Sequence, residues 1–152
     1  MKSIGKNIEE TFIVNKSKFI TKLFKVENED EATNILTKLK HEYSDATHIC
    51  YAYIVGNIKR FNDDGEPGGT AGMPILGVLE NNSLDYVLAV VIRYFGGIKL
   101  GAGGLVRAYS NSVSSLVKDN IVEYKLGMQI EIIFNYDQIK DIDNLLKYEE
   151  IV

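Results

Sequence analysis

The sequence predicts an α+β domain, on three observations. Residues 11–26 alternate aromatic or branched side chains with polar ones, the period of half-buried strands. Ala32, Ile35, Leu36, Leu39 and Tyr43 recur at helical spacing. Two β-rich runs, His48–Val55 and Tyr86–Phe95, are separated by segments dense in glycine and other turn formers.

Taken in order, the alternation around Asn15-Lys16-Ser17-Lys18 reads as a hairpin, with strands near Thr11–Val14 and Phe19–Val26. Asn28 with Glu31 three residues later resembles a capping box, and Glu29 and Asp30 suit a first turn, so a helix covers about 29–43. His48–Val55 is a central strand, and Gly56-Asn57 is a turn. Residues 60–72 (RFNDDGEPGGTAG) hold too many turn formers for regular structure. Thr70 then caps a short helix over Met73–Glu80, with Pro74 tolerated in its first turn. Tyr86–Phe95 carries the longest apolar run and reads as a strand buried on both faces, although its period alone also allows a helix. After the glycine-rich stretch Gly96–Gly104, Leu105, Tyr109, Ser112, Val113, Leu116 and Val117 mark a helix to about Asp119. Ile121–Phe134 carries one or two strands, broken near Gly127, and Ile139, Ile142, Leu145 and Leu146 a last helix. This last pair either opens a second domain or completes the first.

Composition narrows the function. The chain has 152 residues, one cysteine and a net charge of −4. A single cysteine excludes an internal disulfide and fits a reducing compartment. No apolar run reaches the roughly 18 residues of a membrane span, and the N-terminus lacks a signal-peptide core. The expected location is cytoplasmic. The charge excludes a generally basic nucleic-acid binder, but its distribution is uneven: Tyr86–Lys118 contains no acid, yet holds Arg93, Lys99, Arg107 and Lys118.

Two segments are candidates for chemistry. Arg93–Arg107 has the parts of an anion site: glycines that let backbone approach a ligand, a helix N-terminus with unpaired N–H groups, and Arg93, Lys99 and Arg107 for charge. The phosphate-loop pattern fails because Ala102 follows Gly101, and the dinucleotide fingerprint fails at Val106. The glycines are equally compatible with tight turning and close packing alone. The second segment, Asp63-Asp64-Gly65-Glu66-Pro67, groups three carboxylates without calcium-loop spacing. It reads as a turn whose aspartates bond backbone N–H groups, or as an ion-pair partner for Arg93, Lys99 or Arg107. His48 and Cys50 share a strand face, but a buried cysteine beside a hydrogen-bonded histidine outweighs a catalytic pair. No serine sits in a nucleophile elbow. Tyr51, Tyr53, Phe61, Tyr94 and Phe95 fit packing more readily than base stacking.

The wording of the chain carries a resemblance. Lys16-Ser17-Lys18-Phe19-Ile20, His48-x-Cys50-Tyr51-Ala52-Tyr53, Arg60-Phe61-x-Asp63-Asp64-Gly65-Glu66-Pro67, Gly69-Thr70-Ala71-Gly72-x-Pro74 and RYFGGIKLGAGGLVRAY at 93–109 together resemble the IMPACT family, bacterial YigZ type. The resemblance implies a two-layer α/β domain like the ribosomal-protein and GHMP-kinase fold, with a left-handed βαβ crossover. It divides the chain into an N-terminal IMPACT domain at 1–124 and a truncated ferredoxin-like unit at 125–152, with Met128–Lys147 its first strand and helix. Eukaryotic relatives modulate translation under amino-acid stress. The family implies no catalytic residue, cofactor or metal.

Two functions are therefore carried forward. The first is a non-enzymatic binding module linked to translation regulation. It recognises an anionic partner (RNA, the ribosome or a protein) through Arg60, Asp63, Asp64, Glu66, Thr70, Arg93, Lys99, Gly101, Gly103, Gly104 and Arg107. The second is an enzyme acting on a small phosphorylated or nucleotide ligand.

Overall fold

The structure, a computed structural model, describes residues 1–124. The expected break at Gly127, the last helix and the ferredoxin-like reading of 125–152 lie outside the described residues. Within them, β1 (Lys2–Ile4), β2 (Ile8–Val14) and β3 (Ser17–Lys25) precede α1 (Glu29–Glu42). There follow β4 (His48–Val55), β5 (Ile58–Asn62), α2 (Gly72–Asn81), β6 (Val87–Tyr94), α3 (Gly101–Val117) and β7 (Ile121–Glu123).

Five strands form one sheet in the order β2-β3-β6-β4-β5, every neighbour antiparallel. Because β3 and β4 both run against β6, they are parallel to each other, and α1 makes the crossover between them. Alternation then assigns each side chain to a face. Phe19, Leu23, Cys50, Ala52, Val87, Ala89 and Val91 pack with α2 and α3. Ile20, Ile49, Tyr53, Leu88, Val90 and Ile92 pack with Ala32, Leu36 and Leu39 of α1. The α+β class holds, and α2 and α3 on the sheet make the two layers expected. Helix α1 adds a further layer on the opposite face, which is why β6 is buried from Val87 to Arg93.

Local chemistry explains most element ends. Asn15 and Lys16 both take positive φ (47° and 66°), as a two-residue hairpin turn with right-handed strand twist requires. Asn28 accepts from the Glu31 N–H at 2.8 Å, and the Glu31 carboxylate reaches back to the Glu27 N–H at 3.0 Å. The cap is as expected, with the reciprocal bond moved one residue upstream.

Three expectations change. Residues 58–62, partly read as irregular, form the edge strand β5, whose side chains are all exposed and so give no burial period. Helix α2 begins at Gly72 and Thr70 does not cap it; the Thr70 hydroxyl donates to the Pro67 carbonyl at 2.5 Å. Asp63, nine residues before the helix, accepts from Gly72 N–H at 2.7 Å and Ala71 N–H at 3.2 Å instead. Helix α3 starts at Gly101 rather than Leu105, so Gly103 and Gly104 belong to its first turn and not to a loop. The short strand β1, too brief for a sequence signal, pairs with β7, which lies at the start of the strand expected from Ile121.

Gly96 shows where packing demands glycine: an added Cβ would stand 2.0 Å from the Lys16 carbonyl oxygen, in the hairpin turn. Neither partner is a side chain able to move aside. Gly96→Ala is expected to lower stability by about 2–3 kcal/mol. Gly77→Ala, in α2 with nothing within 4 Å of the new methyl, should raise it by roughly 0.5–1 kcal/mol. Urea denaturation measures both as shifts of midpoint at constant slope.

Candidate functional site

The centre of the site is a buried carboxylate. Glu66, in the loop between β5 and α2, is 7% exposed. Arg93 at the end of β6 donates from one guanidinium nitrogen to both of its oxygens, at 2.9 and 2.8 Å. His48 Nε2 lies 3.1 Å from Oε1, and Tyr109 of α3 donates to Oε2 at 2.5 Å. The His48 Nδ1 faces the Asp64 carbonyl at 2.8 Å. Arg93 and Tyr109 thus donate to one loop carboxylate and His48 lies against it, so side chains from two strands and one helix fix the loop.

Sheet register builds this arrangement. Phe19, Arg93 and His48 are direct partners across β3, β6 and β4. The Arg93 guanidinium carbon lies 5.5 Å from the centres of both Phe19 and Phe95 rings. Its second terminal nitrogen reaches Ser17 Oγ at 3.3 Å, while its Nε is buried without a partner.

The two aspartates serve the backbone. Asp63 takes the N–H groups of Gly69, Ala71 and Gly72. Burial alone would raise its pKa; those three bonds outweigh burial and hold it below the usual carboxylate range. Asp64 accepts from the Ile49 N–H at 2.6 Å, joining the loop to β4.

The thiol of Cys50 lies behind this layer, 3.1 Å from the Asp63 carbonyl and 3.4 Å from the Tyr109 hydroxyl. Burial pushes it up to about 12, which makes it a poor nucleophile. Burial likewise pushes the Tyr109 hydroxyl well up, so it stays a donor.

An open cleft of about 390 Å³ lies over this network. Glu66 and Arg93 lie at its floor; Phe95, Lys99, Leu100 and the first residues of α3 form its walls. Helix α3 has no side-chain cap and no acidic residue in its first turn. The N–H groups there have no capping side chain, and the positive end of the helix dipole faces the cleft. Lys99 is exposed.

The residues expected at the site thus divide. Glu66, Arg93, Lys99 and Gly101 line the cleft. Arg93 is not the free cation that the sequence suggested, because its charge is committed to Glu66; the expected pairing of the acidic loop with the basic segment is this contact. Asp63, Asp64 and Thr70 shape the loop from within. Gly104 and Arg107 line a separate groove of about 360 Å³ against the β2–β3 hairpin. Gly103 sits in the first turn of α3 beside the Arg107 guanidinium. Arg60 is exposed on β5, bonded to the Lys59 carbonyl, and lines neither. Sequence reasoning missed Tyr109 and Ser17. Tyr109 carried only the helical core period, and nothing local reveals what its hydroxyl meets.

Glu66→Ala leaves Arg93 buried and unpaired, and should cost roughly 3–5 kcal/mol. The double variant Glu66→Met/Arg93→Met removes both charges and should recover a large part of that loss, measured by thermal and urea unfolding. Asp63 sets an acid limb. With a lowered folded-state pKa, its stabilisation is present above its unfolded value of about 4 and disappears as pH falls through the folded value. Asp63→Asn should be less stable at pH 7 and lose less stability than the parent between pH ~5 and ~2.

Comparison with known proteins fits this geometry. Residues 15–117 match the Impact N-terminal domain. The IMPACT family member YvyE of Bacillus subtilis (strain 168) is 45% identical over 148 residues, spanning 95% of this chain and 68% of that protein. The IMPACT family member YigZ of Escherichia coli (strain K12) is 36% identical over 139 residues, spanning 88% of this chain and 68% of that protein. A crystal structure of a hypothetical protein is similar with a TM-score of 0.75 and 31% identity, over 97% of this chain and 74% of that one. The matched domain holds the whole Glu66 network and both walls of the cleft, and the chain belongs to the IMPACT family, bacterial YigZ type.

Proposed function

We propose that this domain is a non-enzymatic binding module linked to translation regulation, and that it recognises an anionic group of its partner in the cleft over Arg93. One observation carries the reading. The uncapped N-terminus of α3 opens on a cleft that also holds Lys99 and the buried Arg93 guanidinium. Such a helix end already favours an anion, and two cations against one carboxylate strengthen that preference. The link to translation rests on what membership of the IMPACT family implies.

The thiol behind the network and the imidazole at the cleft are both committed to the loop, which supports binding over catalysis. Cys50 is buried with a raised pKa, and His48 is committed to Asp64 and Glu66. The size of the cleft, about 390 Å³, also suits a small phosphorylated ligand. Turnover of such a ligand is the second reading.

Co-sedimentation with ribosomes and anisotropy titration with RNA test the proposal. Binding is expected at about 50 mM salt, several-fold weaker at about 200 mM. Lys99→Ala should weaken it without changing the melting temperature. Loss of neither affinity nor salt dependence in that variant would overturn the site. A nucleotide that raises the melting temperature and is consumed with magnesium would establish the enzyme reading instead.

A further inference from the structure

The sheet ends on two edges, and the two differ. Among the described residues the strand order is β2-β3-β6-β4-β5, so β2 and β5 each have one neighbour. Proteins blunt such edges by shortness, bulges, proline or charge. Strand β5 spans only Ile58–Asn62, with Arg60 at its centre. Two copies paired there about a two-fold axis would set arginine against arginine. Strand β2 is longer and plainer. It runs seven residues, Ile8–Val14, without proline and in unbroken register with β3. It exposes apolar side chains, Ile13 at 67% and Val14 at 36%. Of its two acids, Glu9 is already paired with Lys22 at 2.7 Å.

The hairpin fixes which groups of β2 face outward. A two-residue turn closes on a hydrogen-bonded pair, here Val14 with Ser17. Alternation then turns the N–H and C=O groups of Glu9, Thr11 and Ile13 to the open edge. The side chains of Glu10, Phe12 and Val14 share the face that looks to α3. Phe12 and Val14 form one wall of the groove of about 360 Å³, α3 forms the other, and Arg107 is the charged residue lining it. Glu10 and Arg107 are both exposed, and neither is in an ion pair among the described residues.

We propose that β2 pairs with β2 of a second copy of this chain, antiparallel about a two-fold axis through Thr11, so that two five-stranded sheets become one. This register overlaps the whole strand and matches the outward backbone groups: Thr11 meets the partner's Thr11, and Glu9 meets the partner's Ile13. It covers Val14 with the partner's Ile8. It sets Phe12 opposite the partner's Glu10, whose carboxylate then enters the groove beside Arg107. The interface is isologous, so this charge pair forms twice. Moving the axis to Glu10 would instead place two glutamates opposite each other. The dimer and the anion site at Lys99 stand independently.

The test is sedimentation velocity of the full chain from about 1 µM to about 1 mM, the range for an interface of modest area. The mass should double as concentration rises. Thr11→Pro removes an outward N–H, which an edge strand tolerates, and should leave a folded monomer that no longer dimerises. Glu10→Arg and Arg107→Glu should each weaken dimerisation about tenfold, and the double variant should restore it. Circular dichroism checks the folding of each variant; if Thr11→Pro does not fold, the charge reversals decide. The amides of Glu9, Thr11 and Ile13 should exchange hydrogen slowly in the dimer and quickly on dilution. A monomer at every concentration with those amides open overturns the proposal. Slow exchange at every dilution gives the edge to residues 125–152 of the same chain and also overturns it. A dimer indifferent to Thr11→Pro and to both reversals forms elsewhere on the surface, and overturns it as well.

Discussion

A carboxylate with almost no access to water organises this domain. Glu66 is brought under its loop and met there by Arg93, His48 and Tyr109. A buried charge is costly unless paired and hydrogen-bonded, and here both oxygens are satisfied. The consequence is geometric. A loop rich in glycine and aspartate, which alone would sample many shapes, is tied to β4, β6 and α3 at once. Asp63 and Asp64 complete the fastening: Asp63 takes three backbone N–H groups of the loop and the start of α2, and Asp64 takes one from β4. The cleft wall is therefore rigid on one side, as a binding surface needs if it is to avoid ordering costs.

The sheet decides where this happens. Phe19, Arg93 and His48 are consecutive partners in one row across three strands. A one-residue slip of β6 would turn Arg93 to the α1 face and Ile92 toward the polar network. The packing of the two cores opposes such a slip, because it would exchange Val87, Ala89 and Val91 with the bulkier set Leu88, Val90 and Ile92 between two filled faces. Hydrophobic burial thus holds the register, and the register holds the ion pair.

The glycines, which look alike in sequence, separate into different jobs. Gly96 is demanded by the hairpin backbone beside it, and Gly72 by the backbone of Asn62, each within 3 Å of a would-be Cβ. Gly97 and Gly101 are demanded by positive φ, with empty space around them. Gly103 is demanded by neither, and it lies on the exposed turn between Lys99 and Arg107.

Much of the scaffold was legible in the chain: the hairpin at Asn15-Lys16, the Asn28 cap, the strands at 48–55 and near 86–95, and the helix before Asp119 follow from periodicity and local turn chemistry. The α+β class needs nothing more, since those signals act within a few residues. The motif at 93–109 also identified the family. What folding alone decided is which partners meet across long separations: Glu66 with Arg93 and Tyr109, Asp63 with the start of α2, Arg107 with the hairpin rather than with Lys99. Such contacts depend on strand order and register, and those are fixed by the burial of two apolar faces summed over the whole sheet. No short stretch of residues encodes that sum, so the sequence could propose that the acidic loop bonds its own backbone and pairs with the basic segment, but not which side chains would meet.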